Sequence, residues 1–339
     1  RMSIEWNILG KPGADNAALV TIDSGQSIHH LLFDCGEDCL AAQRNATIQS
    51  IEHLCFSHFH MDHVSGFDTF FRHNYNRPDT PVNVWGPEQT IDVMHHRFRS
   101  FTWNLHQEQP GEWHVREIGE STICGARFHT KEAFAHSHPT PDLPIKNRTI
   151  FTGPSYRIEA LLLPHHTATS AAYRIIEADR LNICPEALQR SGLKPGPWLQ
   201  QITEADSELE TVLEVEGKQL DLQGLRSDLL TSSPGQSIAY LTDFRIEPDS
   251  KEWNNVSEWL KGTDTLIAEC QYQSTDETLA VRNGHMTATR IGQLAADASV
   301  QELVLMHLSR RYSSKEWRAM REEARKEFPA AKFPPKWAL

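Results

Sequence analysis

The chain has 339 residues, 39% hydrophobic and 23% charged, enough to bury a sizeable core as one large domain or two ordinary ones, which excludes a disordered or low-complexity polymer. A formal net charge of −12 excludes any general electrostatic pull towards nucleic acid, so a polyanionic partner would need a local basic patch or bound cations. Six cysteines (Cys35, Cys39, Cys55, Cys124, Cys184, Cys270) without C-x-x-C pairs, no apolar run of bilayer length and no basic-apolar leader point to a soluble, reduced, cytoplasmic protein with no membrane partner.

In chain order, residues 3–9, 17–23 and 29–34 read as strands separated by Gly/Pro/Asn turns at 10–16 and 24–26, the start of an antiparallel sheet. The third strand stops at Asp34, which either caps the next turn or orients a neighbouring histidine; both readings stay open. Residues 51–56 form an apolar strand and 64–71 begin a helix. Between them lies Ser57-His58-Phe59-His60-Met61-Asp62-His63. Its three imidazoles and one carboxylate come from a single strand-to-helix turn, which lets His58 and His60 point one way while Asp62 and His63 face them from the first helical turn. Neutral imidazoles with an ionised carboxylate are what a divalent cation requires. A His-rich surface loop is the bland alternative, in a chain with 18 histidines.

Residues 82–86 read as a strand and 88–101 as a helix, on which the adjacent His95 and His96 point about 100° apart and cannot chelate together. Residues 134–155, rich in Pro, Gly, His and Thr, read as a long loop, and its His136 and His138 have no carboxylate to join them. An apolar strand at 158–163 runs into Pro164-His165-His166, and 173–176 continues the sheet. From 177 to 216 the composition shifts towards a protruding arm with short helices at 186–191 and 198–202. Strands at 237–241, 265–269 and 303–306 then alternate with helices at 252–261, after Thr287, and after the capping box Ser313-x-x-Glu316. Strand after strand ends in a residue able to bind metal: Asp34, His58, His166, Asp243, Glu269 and His307. In layered α/β folds such strand ends gather at one site.

These pieces resemble the metallo-β-lactamase superfamily, and in particular its ribonuclease Z branch, the tRNA 3′-processing endonucleases. The resemblance rests on His58-x-His60-x-Asp62-His63, Phe33-Asp34-Cys35-Gly36-Glu37, Gly86-Pro87, Tyr240-Leu241-Thr242-Asp243, Glu269, Gly284-His285-Met286-Thr287-Ala288 and Met306-His307-Leu308-Ser309-Arg310-Arg311-Tyr312, with a Gly-Pro segment at 191–198 similar to the family's arm. It spans nearly the whole chain. It implies an αββα four-layer sandwich, one hydrolase domain over 1–339 with the arm at 177–216, and two divalent cations, usually zinc, with manganese or iron also suited to the donors. His58, His60 and His166 would hold one ion, and Asp62, His63 and His307 the other, with Asp243 bridging. His166 is preferred to His165 because the family's ligand stands seven residues before an aromatic, here Tyr173; His165 is then left without a role.

On this reading Asp62 handles the attacking water, His285 donates a proton to the leaving ribose oxygen with Glu269 orienting its ring, and Arg310, Arg311, Tyr312 and Lys194 meet the substrate. A precursor tRNA is the implied partner, and a homodimer the implied assembly. The arm departs from what a tRNA clamp needs, with nine acidic residues against three basic over 177–216. The alternative is therefore a small-molecule phosphodiesterase or ester hydrolase using the same metals. A non-catalytic binding protein ranks below both, since no ligand is missing, and an iron oxygenase is disfavoured by a complete second ligand set.

Overall fold

The computed structural model describes residues 4–25, 27–203 and 212–339, so Ser3, Gln26 and the arm's Glu204, Asp206, Glu208 and Glu210 lie outside the described residues. The chain divides into two compact units, one made of residues 1–176 and 236–339, the other of 177–235.

The first unit opens with β1 (Ile4–Leu9), β2 (Ala17–Asp23) and β3 (Ile28–Phe33), which pair antiparallel as their alternating patterns and turn residues predict. β4 (Ile51–Cys55), β5 (Val82–Gly86) and β6 (Glu112–Ile118) then add in parallel, and β7 (Thr122–His129) and β8 (His138–Pro144) complete an eight-stranded sheet in sequence order. β8 and the following β9 (Thr149–Thr152) replace the long loop expected at 134–155. The prolines that argued for a loop, Pro139, Pro141 and Pro144, sit on an edge strand, where a missing N–H costs no ladder bond on the open side.

The second sheet holds β9, β10 (Tyr156–His165) and β11 (Ala168–Glu177). The chain then leaves for the second unit, where β12 (Arg180–Ile183), β13 (Val212–Val215), β14 (Lys218–Asp221) and β15 (Leu230–Ser233) form two antiparallel ribbons. Pairing of β12 with β15 closes this unit only at Gly235, beyond the expected arm boundary at 216. Helices Pro185–Ser191, Trp198–Thr203 and Leu222–Leu229 cover its own small core of Trp198, Ile202, Val215, Leu222 and Leu229. Back in the first unit, β16 (Ser237–Leu241) pairs antiparallel with β11, and β17 (Thr265–Glu269), β18 (Glu302–Met306) and β19 (Ala331–Lys332) follow in parallel.

Strand alternation assigns each side chain of the first sheet to one of two cores. Leu31, Phe33, Cys55 and Trp85 face the second sheet, while Leu32, Leu54 and Val84 face the helices Phe67–Asn74 and Thr90–Phe98. Phe33 meets Tyr173 and Tyr240 across the gap, with ring centroids 5.6 and 5.3 Å apart. Helices Lys251–Leu260, Ala288–Asp297 and Ser314–Glu327 supply Trp253, Leu294 and Met320 to the core of the second sheet. The result is the αββα sandwich. Among the described residues no helix is long and apolar enough to cross a membrane.

Candidate metal centre

The ends of β3, β4, β10, β16, β17 and β18 converge at one rim of the sandwich. Three of the residues that leave these strands, Asp34, Asp243 and His307, take left-handed backbone angles (φ 57°, 52° and 53°). The chain there turns away from the strand in a single residue, which leaves the polar side chain at the strand mouth; such uncommon geometry is concentrated at functional sites. After β4, Phe56 N–H still donates to Trp85 O at 2.8 Å, and then His60, extended at φ −63° and ψ 150°, caps the single turn Met61–Val64 that carries Asp62 and His63.

Asp243 organises the cluster. Its Oδ2 lies 3.5 Å from His58 Nε2 and 3.6 Å from His165 Nε2, while its Oδ1 lies 3.4 Å from both His63 Nε2 and His307 Nε2. Asp62 Oδ2 is also 3.4 Å from each of the last two nitrogens. Two groups follow, His58–His60–His165–Asp243 and Asp62–His63–His307, each with its donor atoms within 4.8 Å of one another. A third such group joins Asp243 and His307 to His285.

His166 is not part of the cluster, which corrects the expectation drawn from its spacing to Tyr173. Its side chain is exposed, it turns at φ 55°, and its Nε2 bonds Arg282 O at 2.6 Å. His165 takes its place, buried, with Nδ1 on Gly284 O at 2.9 Å and Nε2 aimed at Asp243. The signal was in the strand: Leu163 is buried and Pro164 exposed, so period-two alternation puts His165 back on the inner face. Tyr312 is a second correction. It is buried, and its hydroxyl, which bonds Asp276 Oδ2 and accepts from Gln273 N–H, is committed to holding loops together. Arg310 is exposed and lines a cleft of 590 Å³ with Asp15, Glu37, Met61, Asp62 and His307. Arg311 is also exposed, its guanidinium 5.9 Å from the Tyr312 ring. Lys194 is an exposed residue of the second unit.

A second layer orients the cluster. Asp34 is fully buried and accepts from Ser57 N–H (2.7 Å), Ser57 Oγ (2.7 Å) and Tyr240 OH (2.8 Å), while its Oδ2 stands 2.8 Å from His63 Nδ1. Of the two readings left open for Asp34, orientation of a histidine is the one its contacts match. Glu269, also fully buried, holds His285 Nδ1 at 2.9 Å with one oxygen and accepts from Phe244 N–H at 2.8 Å with the other. The sequence offered no sign of Ser57 and Tyr240 as supports, nor of Asn16, whose Oδ1 accepts His307 N–H at 3.2 Å.

Electrostatics match the donor set. Burial, helped by His63, holds His58 far below the usual imidazole value and keeps its ring neutral. Burial alone would raise the carboxyls of Asp62 and Asp243, but the surrounding histidines hold both well below the usual range. His63 shows the converse: burial opposes its charge, yet Asp243 and Asp34 together push it well above the ordinary value. Two anionic carboxylates thus favour positive charge at this spot. His58 Nε2 and His63 Nε2, both buried, have no hydrogen-bond partner among the described residues, a cost that a coordinated cation would remove. Imidazole nitrogens and ionised carboxylates in two groups, with Asp243 Oδ1 also 3.4 Å from His63 and His307 of the second, fit two divalent cations.

Comparison with known proteins agrees. A model of the beta-lactamase superfamily domain matches residues 29–173. The ribonuclease Z of Deinococcus radiodurans is 38% identical over 330 residues, covering 97% of both chains, and that of Nocardia farcinica is 26% identical over 88% of this chain and 83% of its own. The crystal structure of the metallo-beta-lactamase fold protein YhfI from Bacillus subtilis superposes with a TM-score of 0.55 over 97% of this chain and 95% of its own at 15% identity, a likeness of fold alone. The chain belongs to the ribonuclease Z family of the metallo-β-lactamase superfamily.

Proposed function

We propose that this protein is a binuclear-metal phosphodiesterase, an endoribonuclease that cleaves 3′ trailers from tRNA precursors. The observation that supports it most directly is the divided carboxylate of Asp243, one oxygen facing His58 and His165 and the other His63 and His307. His58, His60, His165 and Asp243 would hold one cation, and Asp62, His63, His307 and Asp243 a second, with zinc the expected metal. Such cations, when bound, lower the pKa of a water and neutralise charge developing on phosphorus.

The protein's own groups handle position and protons. The Asp62 side chain is 45% exposed, at the open side of the cluster, where it can accept a hydrogen bond from the attacking water. With Nδ1 of His285 given to Glu269, Nε2 is the nitrogen left to face the cluster. Burial works against a charged His285, but the Glu269 carboxylate overrides it and raises the ring to about 9. That carboxylate favours the protonated ring, which is placed to give a proton to the ribose 3′ oxygen as the P–O bond breaks. The test is cleavage of a 3′-extended tRNA with and without a chelator, across a salt series. Trailer release that stops with chelator, returns with zinc or manganese and weakens steeply with salt supports the reading. Intact tRNA alongside salt-insensitive turnover of bis(p-nitrophenyl) phosphate would overturn the substrate and leave a small-molecule phosphodiesterase, the reading favoured by the acidic composition of 177–216.

A further inference from the structure

Beyond the His285–Glu269 pair, the segment carrying His285 is gripped from its other side. Arg245, two residues past Asp243, has a side chain only 9% exposed. Its Nη1 donates to the carbonyl oxygen of His285 at 3.4 Å and its Nη2 to Glu277 Oε1 at 2.8 Å, while Nε and Nη2 fork onto Glu247 at 2.8 and 2.9 Å. Glu277 in turn accepts from Thr287 Oγ1 at 2.9 Å and from Arg290 Nε at 3.1 Å. One ion pair therefore holds the chain at His285 itself and two residues beyond it. The backbone of Arg245 is anchored as well, its N–H donating to Pro164 O at 3.0 Å beside His165.

We infer that Arg245 and Glu277 are positioning residues that fix the distance from the His285 ring to the leaving oxygen, tying the proton donor to the strand end that carries Asp243. The geometry is asymmetric in a useful way. Glu269 holds the imidazole but nothing in that contact restrains the main chain of a segment that follows the left-handed Gly284 (φ 71°). The Arg245–Glu277 pair restrains the main chain and touches neither the ring nor the first-named metal groups. A donor displaced by even an ångström loses much of its effect.

The inference rests on His285 being the proton donor, and leaving-group chemistry separates the two claims. A p-nitrophenolate departs without help, whereas a ribose alkoxide needs a proton. The measured quantity is the ratio of kcat on a 3′-extended tRNA to kcat on bis(p-nitrophenyl) phosphate, for the metal-loaded wild type, His285→Ala, Glu277→Gln and Arg245→Lys. Metal content and amide hydrogen exchange at residues 284–287 are followed in parallel. Glu277→Gln should lower the ratio about tenfold, part of the 10²–10⁴ that a proton donor contributes, and speed exchange at 284–287 at full metal content. Arg245→Lys should do the same more weakly, keeping charge without the fork. If His285→Ala leaves the ratio unchanged, the proton-donor assignment itself is wrong. If His285→Ala lowers it and Glu277→Gln does not, or Glu277→Gln slows both substrates equally, the positioning role is wrong.

Discussion

Asp34 and His63 stand 2.8 Å apart, carboxylate oxygen to Nδ1, one at the end of β3 and the other on the helical turn Met61–Val64, 29 residues on in sequence. The contact occupies Nδ1 and leaves Nε2 as the nitrogen that faces the cluster, and three further donors hold Asp34 in place. Asp34→Asn keeps the size but weakens the acceptor. We expect metal affinity to fall by roughly 10–100-fold, measured by chelator competition. Unchanged affinity with a lowered melting temperature would reduce Asp34 to a structural role.

The adjacent histidines give a sharper test. His165→Ala should lose one equivalent of metal by elemental analysis, because it removes a buried Nε2 aimed at Asp243. His166→Ala should retain both equivalents, since its ring is spent on Arg282 O. The opposite pattern would restore the ligand implied by family spacing.

Gly284 approaches both of them. A Cβ there would lie 2.9 Å from His166 N and 3.2 Å from His165 Nδ1, at a φ of 71° that L side chains rarely adopt. Gly284→Ala should therefore cost about 1–2 kcal/mol in backbone strain alone and displace His165 from its cation. Calorimetry reports the first effect and metal content the second. A variant as stable and as well loaded as the wild type would contradict this geometry.

His53 makes the fold sensitive to acid away from the metals. It is 1% exposed and accepts from Trp85 Nε1 at 3.0 Å through Nδ1, so it is buried neutral. Burial, with Arg116 adding, lowers it from 6.5 to about 3. Between those values the unfolded chain binds more protons than the folded one. The stabilisation is thus complete above about 6.5 and is lost as pH falls towards 3. His53→Gln should flatten the decline in urea-unfolding stability over that window, by up to about 1.4 kcal/mol per pH unit. Parallel pH slopes for wild type and variant would refute it.

What could be read from the sequence was local. His58, His60, Asp62 and His63 belong to one turn between an apolar strand and a helix, so their spacing alone announces a cation, and Asp243 and His307 follow from the rule that strands end in polar residues. The early strands and the helix capped by Ser313 were equally legible, because period-two alternation and capping chemistry act within a few residues. Tertiary structure decided the rest. Which of His165 and His166 faces inward depends on how far β10 runs before it turns. Whether Pro139 and Pro141 break a strand or border one depends on having no neighbour beyond β8 among the described residues. Tyr312 looked like a ligand-binding residue until Asp276, 36 residues away, took its hydroxyl. The supports of the site, Ser57 and Tyr240 on Asp34 or Arg245 on His285, are hydrogen bonds between segments distant in sequence. Such bonds depend on sheet stacking and register, and no short stretch of sequence encodes those.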